Sequence, residues 1–206
     1  MKQQQKSSIE VIFFDIGGVV CQDIEKFMMR DIAKKYKLSY REVMKARGKW
    51  WKLYATKRIS EKEYWQSFLK DVGIQESYTH FLSLPYQKYI QKMPGMESVL
   101  KRLVKTYPLF VLSDHAPEWW AYAQKTFHLQ KYFQGSILSF NYGALKEEKK
   151  MFREAIKMAK VKPKEILFID NSEKNLQVAK SLGMDILLFT NPKELLEELK
   201  KRKILF

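Results

Sequence analysis

Residues Ile9 to Asp23, IEVIFFDIGGVVCQD, constrain the fold of this chain more than any other stretch. Ile9, Val11, Ile12, Phe13 and Phe14 make a short apolar run rich in β-branched and aromatic residues, the pattern of a central strand buried on both faces. Asp15 ends the run. Gly17 and Gly18 follow at once, so the chain can turn tightly and bring backbone N–H groups close to an anion. An aspartate delivered this way is a nucleophile, a metal ligand or the cap of a turn, and the rest of the chain must decide between them.

Beyond this strand the sequence divides in two. Between Asp23 and about Lys92, Gly and Pro nearly vanish while Leu, Met, Tyr and Trp recur at helical spacing, which predicts an all-helical insert. Ser60-Glu61-Lys62-Glu63 is a capping-box pattern that starts one of its helices, with Tyr64, Trp65, Phe68 and Leu69 behind it. Trp50, Trp51 and Tyr54 belong to the preceding helix, and such an aromatic cluster reads first as bundle core rather than ligand platform. From Met93-Pro94-Gly95 onward helices and short apolar runs alternate. Strands are expected at Pro108–Ser113, Ser136–Phe140, Glu165–Ile169 and Asp185–Phe189. Helices are expected from Pro117 to about His128, from Glu148 to Lys160, from Ser172 to Leu182, and after the Asn191-Pro192 cap. Such alternation predicts an α/β protein, a three-layer Rossmann-like parallel sheet with an inserted α-helical cap. The expected domains are a core of residues 1–20 and 93–206 and a cap of residues 21–92.

With 206 residues and 46% hydrophobic composition, the chain can bury one core plus a small satellite domain. No segment approaches the about 18 consecutive apolar residues of a membrane span, and MKQQQKSS lacks the apolar core of a signal peptide, so a cytoplasmic location without a membrane partner is expected. The lone Cys21 excludes an intrachain disulfide and a cysteine-built zinc site. The net charge of +15 raises the question of nucleic acid, but it comes from 31 Lys against 7 Arg spread along the chain without a recognition motif. Specific nucleic-acid readout leans on arginine's planar fork, so a solvated basic surface with a preference for phosphate-bearing ligands is the expectation. The sequence leaves the oligomeric state open.

In open parallel sheets ligands lie beyond the carboxyl ends of the strands. Those ends carry Asp15, then Ser113-Asp114-His115, then Asp170-Asn171-Ser172, with Lys146 after a short loop containing Gly143. A carboxylate to attack phosphorus, a hydroxyl and an ammonium to hold its oxygens, and further carboxylates to hold magnesium together describe a phosphate site.

The order FFDIGGV, VLSD, Lys146 in KEEKKMF, and FIDNSEKN resembles the haloacid dehalogenase superfamily, in the branch whose helical cap follows the first motif. Ala179 and Gly183 extend the likeness, which runs through the chain from Ile9. The resemblance implies that Asp15 is the nucleophile, forming an aspartyl-phosphate or, in dehalogenases, an aspartyl ester. It makes Ser113 the phosphate-binding hydroxyl and Lys146 the neutralising ammonium, with Asp114, Gly17 and Gly18 beside the phosphate. Asp15, the Gly17 carbonyl, Asp170 and Asn171 would hold Mg²⁺. The implied activity is Mg-dependent hydrolysis of a small phosphorylated metabolite. The cap residues to inspect are Trp50, Trp51, Tyr54 and Lys57.

Two positions depart from the pattern. Gly17 stands where most phosphatases of the family have a second, acid–base aspartate, although members resembling sugar-1-phosphatases also carry a glycine there. Asp23, His115 and cap residues are then the candidate acids. Asn171 stands where a metal-binding aspartate is usual, and Asp170 and Asp114 are the carboxylates placed to compensate. Dehalogenases also use neutral residues there, but Val19 replaces the threonine they carry four residues after the nucleophile. Dehalogenation therefore ranks below phosphatase chemistry, and the rival reading is a degenerate member that binds a phosphorylated ligand or a protein without turnover.

Overall fold

The structure is a computed structural model that describes residues 7–204, with residues 83–87 described by their backbone alone. The expectation drawn from the first six residues lies outside that range. β1 (Val11–Phe14) is buried at every position, as its uninterrupted apolar run requires. Four helices follow, α1 (Ile24–Lys35), α2 (Tyr40–Ala55), α3 (Glu61–Asp71) and α4 (Thr79–Tyr89). The chain then continues through α5 (Met96–Leu103), β2 (Leu109–Ser113), α6 (Pro117–Phe127), β3 (Phe133–Leu138) and the short α7 (Ser139–Tyr142). It ends with α8 (Lys149–Ala159), β4 (Ile166–Asp170), α9 (Glu173–Ser181), β5 (Asp185–Leu188) and α10 (Pro192–Lys201).

The five strands form one parallel sheet in the order β3-β2-β1-β4-β5, so the strand that opens the chain is the central one. Alternate side chains feed two cores. Ile12 and Phe14 join the larger one, shared with the inserted helices, α5, α6 and α10. Val11 and Phe13 join the other, under α8 and α9. Sheet and flanking helices are therefore the three expected layers. In register, Phe14 lies beside Val111 of β2 and Ile169 of β4, so Asp15, Ser113 and Asp170 emerge at one edge.

The inserted helices owe their ends to local chemistry. At α3 the Ser60 hydroxyl accepts from the Glu63 N–H at 3.3 Å while Glu63 accepts the Ser60 N–H at 2.8 Å, the expected capping box. The insert leaves and rejoins the sheet domain through paired chains: Gln22 N–H donates to the Gln91 carbonyl and Met93 N–H to the Val20 carbonyl, each at 2.9 Å. No helix among the described residues is long and apolar enough to cross a membrane.

One strand differs from expectation. β3 runs from Phe133 to Leu138, whereas Ser136–Phe140 was expected. Gly135 hides its first half from the apolar pattern, and its site is closely packed, since a Cβ would lie 3.3 Å from the Met158 sulfur and 3.4–3.5 Å from the Phe110 ring. At the other end Ser139 leaves the strand to donate to the Ala55 carbonyl at 2.6 Å and accept from the His115 N–H at 3.0 Å, fastening the end of α2 to the sheet domain.

Candidate active site

At the carboxyl edge of the sheet a single ammonium is surrounded by carboxylates. Lys146 Nζ lies 2.8 Å from Asp15 Oδ1 and 2.7 Å from Asp170 Oδ2, and its backbone N–H donates to Asp114 Oδ1 at 2.8 Å. Ser113 donates its hydroxyl to Asp15 Oδ1 at 2.7 Å. Ser113 and Asp170 are 0% exposed, Lys146 2% and Asp15 7%, so these charges interact with little screening from water. Both hydrogen bonds to Asp15 fall on Oδ1. Among the described residues Oδ2 receives none, and it is the oxygen left to attack or to ligate.

Asp170 is held on every side. Oδ1 accepts from the Ser172 N–H at 2.7 Å, and Oδ2 accepts from Lys146 and from Asn175 Nδ2 at 3.0 Å. The strand end and the first turn of α9 thus fix one counter-ion for the lysine. Burial pushes the Asp15 carboxyl up to about 7, against the pull of Lys146. It likewise pushes half-buried Asp114 up to about 6. For Lys146 burial acts downward, but Asp15, Asp170 and Asp114 outweigh it and hold the ammonium above its ordinary range. Three carboxylates against one ammonium leave a surplus of negative charge.

The two glycines of the turn are not equivalent. Gly18 has φ of +78° and packs so closely under Asn171 that a Cβ would come within 2.2 Å of its amide nitrogen. Gly17 has no atom within 4 Å of where its Cβ would be, so a side chain fits there. The absent acid at this position is not a steric necessity.

Asp15, Gly17, Asp114, Lys146 and Asn171 line a cavity of about 430 Å³. Ser113, Gly18 and Asp170 lie behind its floor. Asp23 and His115 reach its wall. His115 is buried, which pushes it down to about 4. Its Nδ1 is 3.1 Å from the Ala116 carbonyl, an acceptor only, so this nitrogen carries the proton of a neutral ring.

The insert forms the roof. Of the four cap residues singled out from sequence, Trp51 lines the cavity. Tyr54 is buried and donates to Glu118 Oε2 at 2.8 Å, Trp50 donates to Asp71 at 2.9 Å, and Lys57 is exposed with a φ of +59°. Sequence reasoning missed Arg47, Glu25 and Trp119, which also line the cavity. Arg47 pairs with Glu25 and stands 4.7 Å over the Trp51 ring, which is 5.7 Å from Trp119. No local spacing signals a pair formed between α1 and α2. Asn175 was missed as well, though it lies within the quoted FIDNSEKN.

Among the described residues no group of three or more His, Cys, Asp or Glu is arranged to hold a metal ion. Asp15, Gly17 and Asn171 all line the cavity, and a carboxylate, a backbone carbonyl and a side-chain amide are the oxygen donors they bring. That set fits magnesium, which prefers hard oxygens and keeps several waters.

Comparison with known proteins bears on the fold and the family. A 79-residue stretch, 38% of this chain, is 33% identical to bifunctional epoxide hydrolase 2 of Mus musculus and spans 14% of that protein. A HAD family enzyme of Bacteroides thetaiotaomicron, solved with magnesium and inorganic phosphate, superposes with a TM-score of 0.66 at 21% identity, covering 89% of this chain and 95% of that one. A 2-haloacid dehalogenase of Pseudomonas syringae superposes with a TM-score of 0.64 at 17% identity, covering 94% and 99%. These likenesses establish the fold. The family model of haloacid dehalogenase-like hydrolases matches residues 9–183, nearly the whole described chain, and the protein belongs to that family.

Proposed function

We propose that the protein is a Mg²⁺-dependent phosphohydrolase of a small phosphorylated metabolite, working through an aspartyl-phosphate on Asp15. The observation that carries this reading is the buried Asp15–Ser113–Lys146–Asp170 cluster below the cavity, with Asp15 Oδ2 unoccupied by any hydrogen bond among the described residues. The magnesium and phosphate bound by the Bacteroides enzyme support it by likeness of fold. Dehalogenases share that fold, but Val19 lacks the hydroxyl expected four residues after the nucleophile.

In this mechanism Asp15 attacks phosphorus, an oxygen–phosphorus bond forms to the carboxylate, and the ester oxygen leaves. Lys146 holds the charge developing on the phosphoryl oxygens, and Ser113 orients the nucleophile through Oδ1. Asp170 acts through Lys146 as its positioning counter-ion, since Ser172, Asn175 and the lysine occupy its oxygens. Asp15, the Gly17 carbonyl and Asn171 would hold magnesium, whose charge offsets both the phosphate and the surplus carboxylates. Water then attacks phosphorus and gives its proton to the carboxylate that protonated the leaving oxygen, the bond between phosphorus and the Asp15 oxygen breaks, and inorganic phosphate and free Asp15 result.

The leaving oxygen needs a proton that Gly17 has none to give. His115 is ill suited, being neutral with its ring proton turned to Ala116. Asp23, on the cavity wall at the N-cap of α1, is the better-placed acid. Substrates with good leaving groups are favoured accordingly. Residues 21–92 act as the cap, with the paired segments at Cys21 and Lys92 as its hinge, and its closure would exclude water from the site.

The test is phosphate release from a panel of esters, with Mg²⁺ and with chelator, for wild type and Asp15→Asn. Turnover that needs both the metal and Asp15 supports the reading. Equal residual rates in wild type and variant would end it. Gly17 and Asn171 favour a second reading, a phosphate-ligand binder without turnover, which that last result combined with tight phosphate binding would support.

A further inference from the structure

The roof of the cavity holds a cation that phosphate chemistry on the floor does not use. Arg47 and Glu25 line the cavity as an ion pair with side chains only 19% and 21% exposed. Arg47 Nε and Glu25 Oε1 are nonetheless buried and, among the described residues, have no hydrogen-bond partner. A guanidinium presents five N–H donors in a planar fork, and one glutamate leaves part of that fork unused. Burial works against the Arg47 charge, and Tyr64, Asp23 and Asp114 only partly offset it, so a further anion is favoured beside it. Lys174 also lines the cavity, but it is exposed, where water competes for it.

We infer that Arg47 receives a carboxylate carried by the substrate at the end remote from its scissile phosphate, with Glu25 as the resting counter-ion that the carboxylate displaces. Trp51 and Trp119, whose rings lie 5.7 Å apart, line the same cavity and supply the apolar surface for the carbon chain between the two anionic groups. A carboxylate matches the planar fork through two parallel hydrogen bonds. A second phosphate matches it less well, because Arg47 and Glu25 sum to zero charge and a dianion would be brought against the glutamate. The substrate class is thus the phosphate ester of a hydroxy acid. This rests on the phosphohydrolase reading of the floor, but its test does not require turnover.

The probes are straight-chain ω-phosphonooxy carboxylates of increasing length, the matching primary amides and the matching bisphosphates. Each is titrated into full-length Asp15→Asn protein, in which no ester is consumed, and followed by tryptophan fluorescence or calorimetry. At the best-fitting length the carboxylate is expected to bind about tenfold to a hundredfold tighter than its amide. Arg47→Ala in the same background weakens the acid by more than the amide and so removes that difference, while Arg47→Lys restores part of it. Glu25→Gln, which keeps the packing of the roof, tightens binding of the carboxylate and leaves the amide alone. The inference is overturned if esters bind with no preference for the acid at any length, if Arg47→Ala weakens acid and amide equally, or if the bisphosphates bind tightest. Failure of every ester to bind would overturn the reading of the floor together with this one, whereas binding without acid preference overturns this one alone.

Discussion

The floor and the roof of the cavity satisfy their polar groups to different degrees. On the floor, Lys146 touches Asp15 and Asp170, Ser113 touches Asp15, and Asp170 is closed off by Ser172 and Asn175. On the roof, Arg47 and Glu25 hold each other but leave a buried nitrogen and a buried oxygen without partners among the described residues. Apart from Asp15 Oδ2, which stays open at the cavity, the floor network is satisfied, and such a network resists rearrangement, which suits charge that must be in place before a transition state forms. A partly satisfied pair has a donor and an acceptor left over for a further partner. The difference separates chemistry, fixed by the sheet, from selection, carried by the insert.

The largest expected effect lies on the floor. Lys146→Ala leaves Asp15, Asp170 and Asp114 without their ammonium, so turnover should fall by about a thousandfold or more and the protein should lose about 3 kcal/mol of stability. Steady-state kinetics and denaturant unfolding measure the two. The same kind of truncation at Arg47 should cost esters without a second charge far less turnover than it costs a carboxylate-bearing ester, which would sharpen the contrast.

His115 lies on the wall between the two regions, and its backbone N–H donates to Ser139, which in turn donates to the end of α2. Because burial pushes it from 6.5 down to about 4, the unfolded chain binds the proton first. Its contribution is therefore complete above pH 6.5 and is lost as pH falls toward 4, by about 3 kcal/mol in all. His115→Phe should flatten the difference in unfolding free energy across that window, and parallel pH profiles for variant and wild type would refute it.

Gly17→Asp restores an acid where a side chain fits. On esters with poor leaving groups it should raise kcat by about tenfold to a hundredfold, with little gain on good ones. A leaving-group series that does not change would show that protonation is not limiting. The smallest expected effect is Asn171→Asp, which adds one charge to the magnesium donors and should tighten Mg²⁺ about tenfold, read by metal titration.

The floor was legible because Asp15, Ser113 and Asp170 each stand at a strand end, parallel strands end at one edge, and Lys146 follows the loop containing Gly143. Asp15, Ser113 and Asp170 are distant in sequence, yet the register of β1, β2 and β4 makes them neighbours. The roof was not legible, since its residues meet only through packing between helices. Trp50 and Trp51 illustrate the limit. They are adjacent and equally aromatic, but one residue turns a helix by about 100°, so Trp51 enters the cavity while Trp50 turns to Asp71. The glycine pair was half legible. The sequence implied a tight turn, but only the backbone distinguishes Gly18, which needs its positive φ, from Gly17, which does not. Gly135 hid the start of β3 for a related reason, as its value lies in the space it leaves for Phe110.

Beryllium trifluoride copies a phosphoryl group attached to a carboxylate, so it tests the nucleophile without knowledge of the substrate. Thermal unfolding of wild type and Asp15→Asn would be followed with Mg²⁺ and beryllium trifluoride, together and separately. The account predicts a rise in Tm for wild type that needs both additions and is absent in Asp15→Asn. A wild type that does not respond, or a variant that responds equally, would contradict the assignment of Asp15 as the phosphoryl acceptor.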